Sequence, residues 1–426
     1  MSLLIKNGRI VDPATKTDDT SDILIEKGLI KKVSGKISEK GVKTVIDAKG
    51  LIVSPGFIDM HVHLREPGQE NKETIETGML AAARGGFTSI ACMPNTAPVN
   101  DNRSVTEYII ARSHEVGTVN VFPIASISVG MKGIDITEMA DLKAGGAKGF
   151  SDDGQCVMSA DLFRKALEYT KMLNVPVIEH PEDHSISGDG QVNEGFISYK
   201  YGLRGILGAA EEVIVARDII LQERIRSLLH LTHISTAGSI DLIRNAKAKG
   251  IQVTSDATPH HLLLTEELIT SYNPVYKMKP PLRTEKDRQA LIKALNDGTI
   301  DAIASDHAPH TFDEKDKEFE YAPFGVIGLE TSFNVIFDRL VNEGIISLSK
   351  FIELFSTNPG RILGLKGRGV VESGAFGDLT IFDPQKPFKI DTGKFLSKAK
   401  NSPFNEWKGK GSIVYTIVNG KIAYQA

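Results

Sequence analysis

Cysteine is nearly absent from this 426-residue chain, which contains only Cys92 and Cys156. Such scarcity excludes a disulfide-rich scaffold and favours a reducing, cytoplasmic environment. Aromatic residues make up 7% of the chain, and no uncharged apolar run reaches the ~18 residues of a membrane-spanning helix. Because Lys6 and Asn7 interrupt the apolar start, we expect no signal peptide. With 50 Lys and Arg against 54 Asp and Glu, neither charge sign dominates, so we expect neither a nucleic-acid nor a membrane partner.

Both ends of the chain carry short β-type runs separated by turn residues, and the middle does not. These runs are residues 3–5, 23–25, 29–33 and 42–46 near the start and residues 379–382 and 413–418 near the end. Asn419-Gly420 adds a hairpin signal. We therefore predict a small β-sheet domain built from residues 1–54 and 367–426.

Residues 55–366 alternate instead between strand and helix patterns. The predicted strands are residues 57–60, 88–93, 120–124, 147–150, 176–179, 229–232, 251–254 and 301–304. Helical periodicity fills most gaps, for example at 73–84, 161–172, 209–223, 239–249 and 285–295. This α/β pattern predicts a (β/α)₈ TIM barrel. A doubly wound open sheet is the alternative, because strand order cannot be read from periodicity.

Metal-binding residue types follow five of the predicted strands, at the ends where barrel enzymes place their active sites. They are His61 and His63, the Asp152-Asp153 pair, His180, His233 and Asp306. Taken singly, a strand-terminal His is usually a hydrogen-bonded rim residue and a strand-terminal Asp a helix cap. Five strands ending this way make coincidence improbable. The expected chemistry is nitrogen and oxygen ligation of a divalent metal, with zinc as the first choice.

The number of these ligands exceeds what one tetrahedral metal uses. Four imidazoles and two carboxylates suit two ions about 3.5–4 Å apart, bridged by a carboxylate and a hydroxide. Such a pair polarises a carbonyl and holds hydroxide at neutral pH. The pattern therefore indicates hydrolytic chemistry, or its reverse.

Longer motifs surround these residues and carry a resemblance over essentially the whole chain. They are DMHVHLREPG at 59–68, MPNT at 93–96, FSDDG at 150–154, THIS at 232–235 and SDHAPH at 305–310. With them the chain resembles the amidohydrolase superfamily and, within it, the type I (bacterial) dihydroorotases. The fold of that family, a barrel flanked by a β-sandwich from both termini, matches the fold predicted above.

The resemblance also implies roles for individual residues. One zinc ion would be held by His61, His63 and Asp306, a second by His180 and His233, and Asp153 would bridge the two. It further implies substrate contacts from His63, Arg65, Asn95, Lys279 and His310, and from the backbone of Phe324 and Gly325. The planar guanidinium of Arg65 suits a substrate carboxylate, which it can grip with two hydrogen bonds.

The implied reaction is the reversible cyclisation of N-carbamoyl-L-aspartate to (S)-dihydroorotate and water in de novo pyrimidine (UMP) biosynthesis. A hydroxide bridging two zinc ions would attack the ring amide, with Asp306 as the general acid and base. The resemblance further implies a homodimer and a possible association with aspartate transcarbamoylase.

One residue departs from the family pattern: Lys279 stands where the family usually has a substrate-binding Asn. The Lys279 side chain either meets the anionic substrate or points away to solvent.

Two other functions stay open. Hydantoinases and allantoinases bridge their metals with a carboxylated Lys at the end of strand four, whereas Lys148 lies off that motif. Inactive relatives that serve as scaffolds for aspartate transcarbamoylase typically lose metal ligands, and this chain keeps them.

Three further histidines and Cys156 are predicted to have structural roles. His260 and His261 follow strand seven but lie outside the ligand set, which favours supporting or packing roles. His230 is predicted to be an ordinary surface or packing residue, and Cys156 to be partly exposed. The charged segment 312–321 is predicted to be a solvated loop over the site that moves when substrate binds.

Overall fold

The N-terminal strands belong to a sheet that the chain begins at residue 2 and completes only after residue 379. The structure is a computed structural model that describes residues 2–426. Its first strands are β1 (Ser2–Asp12), β2 (Thr17–Glu26), β3 (Leu29–Ser34), β4 (Thr44–Asp47) and β5 (Ile52–Pro55). Strand β1 pairs antiparallel with β2 and parallel with both β4 and β5. The β2–β3 hairpin turns at Lys27 and Gly28, whose φ values of 53° and 85° match a type I′ turn.

The chain then enters a parallel barrel. The strands that follow are β6 (Phe57–Val62), β7 (Phe87–Cys92), β8 (Asn120–Ala125), β9 (Gly149–Phe150), β10 (Val177–Glu179), β11 (Val192–Asn193), β12 (Gly205–Ile206), β13 (Leu229–Leu231), β14 (Val253–Ala257) and β15 (Ala302–Ile303). Strands β11 and β12 pair only with each other among the described residues. The other strands neighbour one another in chain order from β6 to β15. A parallel bridge between Val62 and His307 brings the last strand back to the first.

Helices lie between the barrel strands in the chain and also follow the last of them. They are α1 (Ile75–Arg84), α2 (Arg103–Val116), α3 (Met139–Gly145), α4 (Ala160–Leu173), α5 (His184–Ser187), α6 (Phe196–Tyr201), α7 (Ala209–Ile225), α8 (Ala237–Ala248), α9 (Pro259–Leu263), α10 (Glu285–Asp297), α11 (Phe312–Lys315), α12 (Ser332–Ile336), α13 (Leu348–Ile352) and α14 (Asn358–Ile362). Side-chain caps start many of them; Thr74, for example, accepts from the backbone N–H of Thr77 and forms a capping box. Segments Phe337–Val341 and Glu353–Thr357, with π-helical geometry, continue α12 and α13.

An apolar core fills the interior of the barrel. Alternate residues of the strands, such as Ile58, Ile124 and Ile178, fill it. Leu363 and Leu365, just after α14, join the same cluster. The polar side chains therefore collect at the opposite end, where the strands terminate.

The chain ends by completing the first sheet with β16 (Leu379–Lys389), β17 (Lys408–Val418) and β18 (Lys421–Gln425). Strand β16 pairs antiparallel with β5, so the two ends of the chain form one sheet. Phe382 of β16 packs edge-on against Phe333 and Phe337 of the barrel helices, with ring centroids 5.0 and 5.4 Å apart. Aromatic contacts thus join the sheet to the barrel.

The predicted fold class is confirmed, as a nearly closed eight-stranded parallel barrel with a separate sheet from both termini. One strand prediction was displaced: residues 251–254 were expected, and β14 runs instead from Val253 to Ala257. The apolar residue Ile251 precedes the strand, which extends through polar Ser255 and Asp256. The domain boundaries at residues 54 and 366 stay a prediction. In the described part of the chain no helix is both long and apolar enough to cross a bilayer.

Candidate active site

The predicted metal ligands converge at the carboxyl-terminal end of the barrel. His61 lies within β6, and His180 directly follows β10. Asp153, His233 and Asp306 follow β9, β13 and β15 within three residues. All are buried, with at most 7% of each residue exposed. Because the strand ends converge, His61 and Asp306 lie in one cluster although they are 245 positions apart in the sequence.

Two carboxylates lie between the imidazoles of the first strand. His61 Nε2 lies 3.3 Å from Asp153 Oδ2 and 3.5 Å from Asp306 Oδ1. His63 Nε2 lies 3.1 Å from Asp306 Oδ1 and 3.5 Å from Asp153 Oδ2. Both rings therefore direct the same nitrogen at the same pair of acids.

The other two imidazoles approach the second oxygen of Asp153. Asp153 Oδ1 lies 3.6 Å from His233 Nε2 and 3.7 Å from His180 Nδ1. The two imidazole nitrogens are 2.9 Å apart. Asp153 thus stands between both pairs of histidines, with one oxygen toward each pair.

The outward nitrogens of three of these rings have hydrogen-bond acceptors. His61 Nδ1 lies 2.8 Å from Thr232 Oγ1, and His63 Nδ1 lies 2.8 Å from Asn95 Oδ1. His180 Nε2 lies 3.0 Å from a carboxylate oxygen of Glu182. A neutral imidazole that donates outward keeps an unprotonated nitrogen facing inward, which is the form that binds a metal.

The charges of the cluster also fit a cation. Burial opposes protonation, yet the negative charges of Asp153 and Asp306 raise the pKa of His61 to about 10. Burial disfavours the charged form of Asp153 as well, but the neighbouring imidazoles, His61 first, hold its pKa well below the usual value. His61 Nε2 and Asp153 Oδ1 are buried without a hydrogen-bond partner among the described residues. Potential ligand atoms lie within 4.8 Å of one another in two sets, His61–Asp153–His233 and His61–His63–Asp306. These donors can bind divalent metal.

The backbone holds several of these residues in a sparsely populated conformation. Arg65, His233 and Asp306 have φ values of 64°, 40° and 47°. Non-glycine residues rarely adopt such angles, and they cluster at functional sites when the surrounding structure enforces them. Buried Asp59 links two of the strand ends, since its Oδ1 accepts from the backbone N–H of His61 and of Ser305 at 3.1 Å each.

A cavity of about 370 Å³ opens above the cluster. It is lined by His63, Arg65, Asn95, Asp153, Gly154, His180, His233, Lys279, Asp306, Ala308, His310, Pro323, Phe324 and Gly325. Every residue predicted to contact substrate therefore lies on this cavity. A larger cavity, about 560 Å³, lies at the opposite barrel end near Leu229 and Val253, and none of its described lining residues is a histidine.

Arg65 brings a positive charge to the cavity that the protein leaves unpaired. It is 8% exposed, and its Nε donates to the carbonyl of Pro309 at 3.2 Å. Among residues 2–426, no carboxylate forms an ion pair with the Arg65 guanidinium. Burial and then the positive charge of Arg65 lower the pKa of His310 to about 3, so this imidazole is neutral. The cavity can therefore accept an anionic group beside the metal-binding cluster.

The backbone of residues 324–325 is largely engaged within the protein. His310 Nε2 donates to the Phe324 carbonyl at 2.8 Å, and Gly325 N–H donates to the Lys277 carbonyl at 3.0 Å. The Gly325 carbonyl accepts from Lys315 Nζ and from the side-chain amide of Asn401. With φ at 126°, Gly325 adopts an angle that a side chain would strain.

The Lys279 side chain pairs with an acid instead of pointing away to solvent, and its contact with substrate stays a prediction. Its ammonium lies 2.8 Å from Glu182 Oε1, and the other oxygen of Glu182 meets His180. It also lies over the Phe324 ring, 5.4 Å from the centroid. Lys279 therefore lies on the cavity wall, with its charge neutralised by Glu182.

Several supporting residues were missed or assigned differently in the sequence. Glu182 and Asp256 received no role, although both follow the strand-end pattern that identified the ligands. His230 is fully buried, and its Nε2 lies 2.8 Å from Asp256, so the surface alternative for this residue was wrong. Cys156 is buried rather than partly exposed, because its thiol packs inside against Glu179.

Comparison with known proteins gives full-length relatives. A family model described as Dihydro-orotase-like matches residues 50–239. The protein named dihydroorotase of Geobacter metallireducens is 50% identical over 425 residues, covering 100% of both chains. The dihydroorotase of Geobacter sulfurreducens is 51% identical over 424 residues, covering 100% of this chain and 99% of its own.

Solved structures share the fold at lower identity. L-hydantoinase (dihydropyrimidinase) from Arthrobacter aurescens superposes with a TM-score of 0.89 at 25% identity, covering 99% of this chain and 95% of its own. D-hydantoinase from Thermus sp. gives a TM-score of 0.84 at 24% identity, covering 100% and 96%. The match to D-hydantoinase supports the fold of this chain and no functional role.

Proposed function

The chain belongs to the dihydroorotase family, and from that membership we propose that it catalyses the reversible cyclisation of N-carbamoyl-L-aspartate to (S)-dihydroorotate and water in de novo pyrimidine synthesis. The family places it among hydrolases of cyclic amides. One observation carries the choice of substrate: the buried, unpaired guanidinium of Arg65 faces the same cavity as the metal-binding cluster. A substrate that bears a carboxylate next to a cyclic amide satisfies both features.

The metal ions are proposed to be two zinc ions. His61, His63 and Asp306 would hold one, His180 and His233 the other, and Asp153 would contribute an oxygen to each. Bound zinc would supply Lewis acidity and lower the pKa of water. The acceptors Thr232, Asn95 and Glu182 take the outward hydrogen bonds of His61, His63 and His180, so the inward nitrogens of these rings remain for the metal.

The substrate carboxylate is proposed to bind Arg65, with Asn95 and His310 beside it. The amide oxygen of Asn95 already faces His63, so its amino group remains for the substrate. His310 Nδ1 has no hydrogen-bond partner among the described residues, and because Nε2 carries the proton of the neutral ring, Nδ1 can accept from an N–H of the substrate but cannot bind its carboxylate. Because Arg65 is buried, a carboxylate that displaces water from it gains a charge-assisted hydrogen bond in a poorly hydrated place.

Asp306 is proposed to carry the proton. Its Oδ1 faces His61 and His63, which leaves Oδ2 for the reacting groups. In the hydrolytic direction Oδ2 accepts a proton from the water that adds to the ring carbonyl. It then delivers that proton to the amide nitrogen as the carbon–nitrogen bond breaks. In the biosynthetic direction the same atom takes the proton from the ureido nitrogen and returns it to the departing water.

The chain is also proposed to act in the cytoplasm, as a homodimer able to associate with aspartate transcarbamoylase.

The hydantoinase-like alternative requires a feature that the site lacks. A hydantoinase-like centre needs a bridging lysine after strand four, where β9 leads into Ser151 and Asp152. Asp152 caps another loop, accepting from the backbone N–H of Ile127 and of Ser128.

The first experiment quantifies zinc in protein purified without added metal and measures dihydroorotate, hydantoin and allantoin hydrolysis on the same sample. We expect one to two zinc per chain and chelator-sensitive turnover of dihydroorotate alone. Turnover of hydantoin or allantoin instead would favour the related cyclic amidohydrolases. Absence of both zinc and turnover after zinc is restored would favour the inactive scaffold.

Replacement of the proton carrier tests the mechanism. In Asp306→Asn we expect kcat to fall by roughly 10²–10⁴-fold, since an amide cannot shuttle the proton, while most of the zinc is retained. Metal analysis and steady-state kinetics on one preparation distinguish the two effects. Unchanged kcat would contradict the role of Asp306.

A further inference from the structure

A chain of buried hydrogen bonds runs from the inside of the barrel to His61. Thr232 Oγ1 lies 2.8 Å from His61 Nδ1 and donates to Asp256 Oδ2 at 2.9 Å. His230 Nε2 lies 2.8 Å from the same oxygen, and Thr254 Oγ1 lies 2.9 Å from His230 Nδ1. His61, Thr232, Asp256 and His230 are each no more than 1% exposed. Water therefore does not supply alternative partners within this chain.

The direction of these hydrogen bonds follows from Asp256, because a carboxylate only accepts. Its Oδ1 accepts from the backbone N–H of His233 at 2.7 Å, and its Oδ2 faces Thr232 and His230. The Thr232 hydroxyl must therefore give its single proton to Asp256. Its oxygen is left to accept, so His61 must donate from Nδ1. Because Nδ1 is committed to this donor role, Nε2, the atom that faces Asp153 and Asp306, is the nitrogen that gives up its proton to a metal.

We propose that Asp256 is a positioning residue that fixes the tautomer of His61 through the Thr232 hydroxyl and so prepares His61 Nε2 for metal. The inference rests on the proposed metal-dependent function and goes beyond it, since neither Asp256 nor Thr232 touches metal or substrate. Asp256 also accepts from the backbone N–H of His233. One carboxylate therefore supports His61 from the first pair of histidines and His233 from the second.

Substitution of Asp256 by Asn reverses the hydrogen-bond direction while keeping the shape. The amide oxygen can still accept from His233 N–H, but the amino group then donates to Thr232. The hydroxyl must in turn donate to His61 Nδ1, which moves the imidazole proton to Nε2. We expect zinc affinity of Asp256→Asn to fall by roughly 10- to 100-fold, the usual effect of losing a supporting acceptor.

A double-mutant cycle on zinc affinity distinguishes this transmission from loss of negative charge. Affinity is measured on metal-free protein by competition with a chromophoric chelator, for wild type, Asp256→Asn, Thr232→Val and the double variant. If the effect passes through the hydroxyl, Asp256→Asn weakens zinc less than threefold in the Thr232→Val background. Equal losses in both backgrounds, or no loss in Asp256→Asn alone, would overturn the proposal.

Two further variants control for folding and for the length of the chain. Thr232→Ser keeps the hydroxyl and should retain the wild-type zinc affinity, whereas a purely steric role for Thr232 would weaken it. Thr254→Val removes only the hydroxyl at the far end of the hydrogen-bond chain and should leave zinc affinity within threefold of the wild-type value. Thermal unfolding of each metal-free variant identifies misfolded samples. If wild type itself binds no zinc, the proposed function fails; if wild type binds zinc and the cycle is additive, only this inference fails.

Discussion

Lys279 differs from the other charged residues of the cavity because a neighbouring acid already neutralises it. Burial disfavours ionisation of Glu182, yet hydrogen bonding to His180 and the charge of Lys279 hold the Glu182 pKa below its usual value. An ammonium committed in this way has little to offer a substrate carboxylate. The departure from the family pattern therefore alters the support of His180 more than the grip on the substrate.

Substitution of Lys279 by Asn tests this interpretation. We expect KM for dihydroorotate to change less than about threefold, and the affinity for the second zinc to fall, since Glu182 loses its partner and binds His180 differently. Steady-state kinetics and chelator competition measure the two effects. An increase of KM of tenfold or more would instead mean that Lys279 binds the substrate itself.

His261 makes the stability of the protein depend on pH. Its Nε2 donates to the Pro280 carbonyl at 3.0 Å, and burial lowers its pKa from 6.5 to about 4. The unfolded chain therefore binds a proton below pH 6.5 that the folded chain accepts only below about pH 4. Stability is lost as the pH falls through this window.

Between pH 7 and pH 5 we expect His261 to reduce the free energy of unfolding by about 2 kcal/mol. Urea denaturation of metal-free wild type and His261→Gln at both pH values measures the effect. The advantage of wild type over the variant should shrink by that amount at pH 5. Exposed His114→Gln is the control and should show no such change.

At the scale of single residues, the sequence predicts ligands better than it predicts their partners. His61, His180 and Asp306 could be found because strand ends of a parallel barrel converge. Thr232 beside His61, and Glu182 between His180 and Lys279, depend on side-chain directions that no spacing rule contains. The same limitation applies to Arg65, whose lack of an ionic partner is visible only in three dimensions.

Among the elements, the segment over the cavity is less free than its charge suggests. Lys315 at the end of α11 donates to the carbonyls of Pro323 and Gly325 at 2.9 and 3.0 Å. Lys277 donates to the Phe319 carbonyl at 2.8 Å, and the Phe319 side chain is buried. Two lysines thus fasten a segment that the sequence predicts to be a solvated loop over the site.

Loss of this fastening should make the segment open more often. We expect Lys315→Met to lower the local opening free energy by about 1–3 kcal/mol, because the part-buried Pro323 carbonyl loses its donor and the Gly325 carbonyl keeps only the Asn401 amide. Cleavage by a protease specific for aromatic residues, at exposed Phe312 or Tyr321, should accelerate roughly 5- to 150-fold. Exposed Lys317→Met serves as the control. Equal cleavage rates in wild type and Lys315→Met would contradict this role.

Asp256 is the main omission of the sequence analysis. It lies two residues after predicted strand seven, within the strand-end pattern, and the structure places it inside β14, which extends to Ala257. Its role could not be predicted, because its contact with Thr232 depends on side-chain directions. Asn401 was out of reach for a different reason. Its amide donates to the Ala308 and Gly325 carbonyls from a segment that follows the barrel, and contacts between distant segments leave no local pattern.

For the whole molecule, the aromatic contacts between sheet and barrel make the two units depend on each other. We expect Phe382→Ala to reduce the free energy of unfolding by about 3–5 kcal/mol, since a fully buried ring is removed from between Phe333 and Phe337. Denaturant unfolding measures the loss. Phe196→Ala, at a side chain that is 72% exposed, should change stability by less than about 0.5 kcal/mol.

The sheet shared by both chain ends has a consequence for the protein during its synthesis. Strand β5 pairs with β16, and Ser54 meets Thr380 across 326 residues. At about 5–20 residues per second, a ribosome needs roughly 15–65 s to make that stretch. Throughout this interval the nascent chain presents the unpaired edge of β5, with Ile52 and Val53, to the cell. We therefore expect chaperones to engage ribosome-bound chains that stop before residue 379 and to release those that contain β16.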